Sequence, residues 1–227
     1  MIKYYSELVQ GSDEWIAVRC GILTASEMKN IITPAKLQYA QNDKERAHLY
    51  ELVAQRVTGY VEPHYISDDM LRGQGDEFSA KIVYNEKYAP VTDCGFVTND
   101  KWGFTLGYSP DGLIGDDGLI ECKSRRQKYQ MQTILDKSMP QDYMLQVQTG
   151  LLVSERKWCD FISYCGGMHM FTYRVYPDAK VQEAIVTAAT TFHAKMDAML
   201  EDYSLALDDP ELHLIPTERT IEREITV

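Results

Sequence analysis

The sequence predicts an α/β domain in which a central mixed β-sheet is flanked by helices. Three observations predict it. Short β-rich runs at 94–124 and 157–176 are interleaved with helical periodicity at 44–58, 67–88, 140–153 and 178–207. The 227 residues are 44% hydrophobic and 25% charged, an ordinary globular make-up with length enough to bury a real core. No internal repeat, low-complexity tract or linker divides the chain, so one domain over 1–227 is expected, with 208–227 a loosely attached tail.

In chain order, Ser12 is a good N-cap for a first helix. Asp13 and Glu14 suit its positive end, Gly21 marks its stop, and Arg19 falls on its last turn. Thr24 and Glu27 form a capping-box pattern that starts a second helix with Ser26 in its first turn. A helix start close behind an arginine offers free N–H groups, a hydroxyl and a guanidinium, which is an anion site. Residues 33–43 read as loop. Leu49, Leu52, Val53 and Val57 stripe one face of the helix at 44–58, which Gly59 and Pro63 stop. From Ser67 to about Tyr88 a longer helix is expected with Met70, Leu71, Phe78, Ile82 and Val83 inward. Gly73 and Gly75 within it suggest close backbone approach, and Glu77 faces the same place.

Residues 94–98 and 103–108 read as strands, and Pro140 opens a helix carrying Gln146 and Gln148 in an apolar stretch. Residues 157–164 and 169–176 form a hairpin about Gly166-Gly167. The longest helix, 178–207, puts Val181, Ile185, Ala188, Ala189, Phe192, Met196, Met199 and Leu200 inward.

Composition narrows the function classes. Five cysteines, odd in number and without a Cys-x-x-Cys pair, argue against a disulfide framework and against zinc or iron–sulfur sites. No signal-peptide core or membrane-spanning run is present, so the cytoplasm is the expected address. A net charge of −11 weighs against nucleic-acid binding, but Arg125, Arg126 and Lys128 follow Lys123 within six residues and form a candidate DNA-contacting patch.

The chemistry is concentrated at 108–124. Two short strands flank Gly115-Asp-Asp-Gly118, whose residues suit a tight hairpin. On the second strand Ile120 and Cys122 point one way, while Glu121 and Lys123 point together the other way. Asp111 sits just before the partner strand, and the hairpin brings its carboxylate towards Glu121. Two carboxylates and an ammonium suit a hard cation such as Mg²⁺, with the lysine orienting or deprotonating a water. That set describes metal-assisted phosphodiester hydrolysis, with Asp111, Glu121 and Lys123 catalytic. Pro110-Asp111 and Glu121-Cys122-Lys123 match the motif of the PD-(D/E)XK nucleases, which implies a restriction-endonuclease-like core.

Gly11-Ser-Asp-Glu-Trp15, Arg19-x-Gly-Ile-Leu-Thr-Ala-Ser26, Gly73-x-x-x-Glu77, Ser109-Pro-Asp-Gly112, Ile120-Glu-Cys-Lys123 and Leu145-Gln-Val-Gln148 occur in that order. Over about residues 10–200 the chain thereby resembles the phage lambda exonuclease (YqaJ-type viral recombinase) family. The resemblance implies a Mg²⁺-dependent 5′→3′ exonuclease on double-stranded DNA, working beside a single-strand annealing protein in phage-type recombination. It places metal ligands on Asp111, Glu121 and the backbone carbonyl of Cys122, with Glu77 in reach. Two ions per site are expected, with Mn²⁺ able to replace Mg²⁺. It places a 5′-phosphate pocket on Arg19, Ser26, Ser109 and Gln146, and it implies a homotrimeric ring encoded by a phage or prophage. The family departs at Cys122, where a larger apolar residue is usual, and beyond about residue 205. Two competing readings are a structure-specific or restriction-type endonuclease on the same fold, and a non-catalytic DNA-end-binding recombination module. The complete Asp111–Glu121–Lys123 set argues against the second.

Overall fold

The structure, a computed structural model, describes residues 1–63 and 67–219. Its elements are β1 (Ile2–Tyr5), α1 (Asp13–Arg19), β2 (Leu23–Thr24), a 3-10 turn (Ala25–Glu27), α2 (Met28–Ile31), β3 (Ile32–Thr33), β4 (Gln38–Tyr39), α3 (Asp43–Thr58) and α4 (Asp68–Lys87). They continue with β5 (Phe96–Asn99), β6 (Leu106–Tyr108), β7 (Gly112–Ile114), β8 (Gly118–Ser124), α5 (Gln127–Asp136), α6 (Met144–Ser154), β9 (Trp158–Tyr164), β10 (Phe171–Val175) and α7 (Ala179–Leu207).

The helix starts follow their caps. Ser12 accepts from the Trp15 N–H at 3.2 Å, Glu27 reaches back to the Thr24 N–H at 3.0 Å, and Asp178 accepts from Lys180 and Val181. Helix α3 ends at Gly59, whose φ of +62° is the left-handed cap that glycine takes without strain.

The mixed sheet is present as two four-stranded pieces, ordered β1-β5-β6-β2 and β10-β9-β8-β7, with a short β3–β4 hairpin inside the stretch expected to be loop. Strand β2 runs parallel to β6 and β8 runs parallel to β9; the other pairings are antiparallel. Helix α6 lies against β5 and β6 of one sheet and β9 of the other. Its Leu145, Val147, Leu151 and Val153 join Leu119, Cys159 and Phe161 in the larger core with α3 and α7. The other face of β8 and β9 (Ile120, Cys122, Ile162) packs under Ala80 and Tyr84 of α4 in a smaller core. Strand β8 is thus covered on both faces.

Three expectations are corrected. Helix α4 is rotated away from its apolar stripe: Leu71, Phe78 and Ile82 are 55%, 68% and 45% exposed, and Met70 is exposed too. The helix docks instead through Ala80 and Tyr84, with Tyr84 also donating to Asp160 at 2.6 Å and Asp76 accepting from Ser124. Periodicity identifies an apolar face, but these contacts decide which face turns inward. A Cβ at Gly73 or Gly75 would meet nothing within 4 Å, so neither glycine serves a close approach among the described residues. Val57 is likewise exposed at the end of the α3 stripe.

Helix α5 has no counterpart in the sequence expectations. Its buried positions are Gln130 and Thr133, and Gln130 docks by donating to the Ser163 and His169 carbonyls at 3.0 and 2.8 Å. A helix anchored by an amide has no apolar periodicity to read. Residues 208–219 are exposed, with Arg219 3.8 Å from the ring centre of Tyr60; the expected tail also takes in 220–227, which lie outside the described residues.

Candidate active site

The β7–β8 hairpin pairs Gly112 with Ile120 and Ile114 with Gly118, so Asp111 lies just before β7, beside the middle of β8. Its Oδ2 accepts the Cys122 N–H at 2.5 Å, which fastens Asp111 across the hairpin mouth. Glu121 points to the α6 side of the sheet and is 1% exposed, so the polar face expected here is buried. Its carboxylate accepts three donors. Lys123 Nζ and Gln146 Nε2 both lie 2.6 Å from Oε1, and the Tyr108 hydroxyl lies 2.8 Å from Oε2.

Charge at this point is out of balance. Burial, then the neighbouring Glu121 and Glu77, push the Asp111 carboxyl well above the usual carboxylate range. Burial also raises Glu77, against the pull of Lys81, whose Nζ is 4.0 Å from Glu77 and 2.7 Å from Asp93. Burial opposes charge on Lys123, but Glu121 and Asp111 outweigh it and hold its pKa above the ordinary lysine value. The ammonium of Lys123 is thus held by the two carboxylates, in a position to orient a water or offset phosphate charge.

Among the described residues no three His, Cys, Asp or Glu side chains converge closely enough to hold an ion by themselves. A Mg²⁺ ion usually needs only one or two carboxylates, with waters and substrate oxygens for the rest. Asp111 and Glu121 fit that demand, with the Cys122 carbonyl and Glu77 as further oxygen donors. A divalent cation would offset both the burial and the repulsion that raise Asp111.

The expected phosphate residues divide. Arg19 on α1 lies over Trp15, its guanidinium 4.0 Å from the ring centre, and donates to Ser109 Oγ at 2.9 Å. Trp15 Nε1 donates to the Gly95 carbonyl at 2.9 Å and stands 3.2 Å from the same Ser109 hydroxyl. Burial lowers the Arg19 pKa, partly offset by Glu27. Ser26 is exposed, and its hydroxyl is 3.3 Å from that of Thr24, which also donates to Glu27 at 2.7 Å. Gln146, by contrast, bonds Glu121 and belongs to the carboxylate cluster. Sequence reasoning missed Tyr108, Lys81 and the Gln10 amide, which donates to the Pro110 carbonyl at 2.9 Å. Only Tyr108 carried a signal, as the residue next to Ser109 in the motif.

The basic patch is partly self-neutralised. Arg126 bonds Asp69 at 2.9 Å, and Asp69 is 3.3 Å from Arg72. Arg125 donates to the Tyr143 hydroxyl at 2.8 Å, and Lys128 is exposed beside Tyr129. Arg72, Arg125 and Arg126 line a cleft of about 400 Å³ beyond the end of β8.

The model of the YqaJ-like viral recombinase domain matches residues 14–157, a stretch that contains all the candidate site residues named from the sequence. This chain belongs to that family. The YqaJ-like chain is also similar to the crystal structure of an alkaline exonuclease from Laribacter hongkongensis, at 30% identity and a TM-score of 0.77. The match covers 87% of this chain and 98% of the other. The same exonuclease in complex with dAMP matches equally well. A phage-related exonuclease from Haemophilus somnus 129PT, at 11% identity and a TM-score of 0.54, covers 79% of this chain and 96% of its own and bears on the fold alone. No curated protein sequence matches. Family and alkaline-exonuclease likeness together support a nuclease role in recombination. No helix among the described residues is long and apolar enough to cross a membrane.

Proposed function

We propose that this YqaJ-like protein is a Mg²⁺-dependent 5′→3′ exonuclease that degrades one strand of linear double-stranded DNA to 5′-mononucleotides. It would act beside a single-strand annealing protein in recombination, as a homotrimeric ring, in the cytoplasm of a bacterial host of the encoding phage or prophage. The observation that carries the reading is the Arg19–Ser109 contact, two residues ahead of Asp111. A group that can grip a terminal phosphate stands beside carboxylates suited to hydrolysis. Binding of dAMP, a 5′-mononucleotide, by the Laribacter exonuclease supports a product of that kind.

When bound, the ion supplies Lewis-acid polarisation of the phosphate and a water of lowered pKa. Asp111, Glu121 and the Cys122 carbonyl would hold it, and Glu77 would add an oxygen. Lys123 orients the attacking water and offsets charge building on the phosphate. Arg19 offers a planar fork of donors to the 5′-phosphate, with the Ser109 hydroxyl beside it, and Ser26 would add a second hydroxyl. Hydrolysis that releases a 5′-mononucleotide leaves a new 5′-phosphate, so a pocket for that group draws the strand forward one nucleotide per turnover. A closed ring would hold DNA by enclosure, which suits a chain of net charge −11.

The test compares Mg²⁺-dependent digestion of linear duplexes that differ only in carrying a 5′-phosphate or a 5′-hydroxyl. Arg19→Ala should slow the phosphorylated end strongly and scarcely alter the hydroxyl end. Equal slowing at both ends would mean that Arg19 does not read the phosphate. Cutting of covalently closed circles would favour an endonuclease, and a monomeric mass by light scattering under active conditions would remove the ring.

A further inference from the structure

We propose that Tyr108 is a positioning residue that sets the orientation of the Glu121 carboxylate, and through it the affinity of the site for a divalent cation. The proposal rests on the nuclease reading of the site and extends it to a residue outside the motif's acidic and basic members.

The terminal torsion of a glutamate is broad and roughly two-fold, so the side chain itself does not choose a carboxylate plane. Hydrogen-bond donors must choose it. Lys123 and Gln146 both approach Oε1, and the Tyr108 hydroxyl at 2.8 Å is the donor on Oε2. Lys123 and Gln146 hold Oε1 at the ends of long, flexible side chains, whereas Tyr108 holds Oε2 from a buried, packed ring, which makes it the rigid member of the set.

Tyr108 is built for this placement. It is 1% exposed, at the end of β6, and its ring lies against Gly150 of α6. A Cβ at Gly150 would stand 2.7 Å from the ring carbon that bears the hydroxyl. Helix α6 thus accommodates the ring with a glycine and supplies Gln146 one turn earlier. One helix therefore sets two of the three donors. Outer partners of metal-binding carboxylates commonly change metal affinity or activity by about 10–100-fold when removed.

The test is Tyr108→Phe, which keeps the ring against Gly150 and removes only the donor. Mn²⁺ binding followed by electron paramagnetic resonance on the full chain gives a readout independent of turnover. The expected result is a roughly 10–100-fold weaker Mn²⁺ affinity, with the half-saturating Mg²⁺ concentration for digestion rising by the same factor. At saturating Mg²⁺ kcat should recover most of its value. Gly150→Ala, which keeps the hydroxyl but displaces the ring, should shift Mn²⁺ affinity the same way. Wild-type Mn²⁺ affinity in a folded Tyr108→Phe protein overturns the proposal. So does a loss that extra metal cannot restore, since that would be a structural effect. If the wild-type chain itself binds no Mn²⁺, the metal-site reading has failed and not the role of Tyr108 alone.

Discussion

Two buried carboxylates stand one residue apart in register on neighbouring strands, and they sit in opposite charge settings. Asp160 on β9 pairs with Ile120 on β8, while Glu121 pairs with Phe161. Each accepts a tyrosine hydroxyl, Tyr84 in one case and Tyr108 in the other. Asp160 also takes a two-pronged grip from Arg174 at 2.7 and 2.8 Å, and that guanidinium lies 3.7 Å from the ring centre of Trp158. Its charge is matched by one cation in one fixed geometry. Glu121 has Lys123 but shares it with Asp111 and Glu77, so negative charge is left over. Burial alone does not single out a candidate functional carboxylate; an incomplete set of counter-charges does.

The largest expected difference is in activity. Glu121→Gln, Asp111→Asn and Lys123→Ala should each reduce Mg²⁺-dependent digestion by on the order of 10³-fold or more, because the first two remove proposed metal ligands and the third the cation that offsets charge building on the phosphate. Asp111→Asn should not lower the melting temperature in chelator, since it relieves repulsion. Substantial remaining activity in any of the three would erase the contrast with Asp160.

The next effect is on stability. Asp160→Asn leaves Arg174 without its partner and should cost about 3 kcal/mol, the low end for a broken buried pair because Arg174 is half exposed. Urea unfolding measures it. Cleavage per folded molecule should change far less than in the Glu121 variant, and equal losses would mean that Asp160 also belongs to the site.

The smallest effect is in the pH dependence of stability, and here two groups oppose each other. In chelator, the raised carboxyl of Asp111 binds a proton in the folded state that the unfolded chain has already released. Its contribution therefore falls as pH rises from the ordinary aspartate range towards the raised value, and Ca²⁺ should restore the loss. His193 runs the other way. Burial, then Arg56, lowers it from 6.5 to about 4. Its contribution is fully present above about 6.5 and is lost as pH falls towards 4. Thermal melts of Asp111→Asn and His193→Gln between pH 4 and 8 separate the two slopes, and Asp111→Asn should flatten only the one that Ca²⁺ reverses.

Sequence was legible wherever the signal was local. The caps at Ser12 and Thr24 marked their helices, and alternation on β8 put Glu121 and Lys123 on one face. It was illegible where polar contacts between distant segments decide. Tyr84 meeting Asp160 turns α4 so that Leu71, Phe78 and Ile82 face out, and Gln130 docks α5 with no apolar stripe. For the same reason the bond from Gln146 to Glu121 is not legible in the sequence. A glutamine between apolar neighbours announces an enclosed partner without saying which.

The parallel pairing of β8 with β9 has a consequence for the order of assembly. The β7–β8 hairpin is local and can close early, but β9 lies beyond residues 125–157, and α6 with Gln146 and Gly150 falls inside that crossover. Parallel partners so far apart must close a long loop before any contact rewards it, which makes this a late step. During synthesis the chain therefore carries Asp111, Glu121 and Lys123 before Gln146 and the Gly150 surface that seats Tyr108 are in place. The complete motif is made well before the buried cluster around Glu121, and the nascent protein passes through that interval with the cluster only partly assembled.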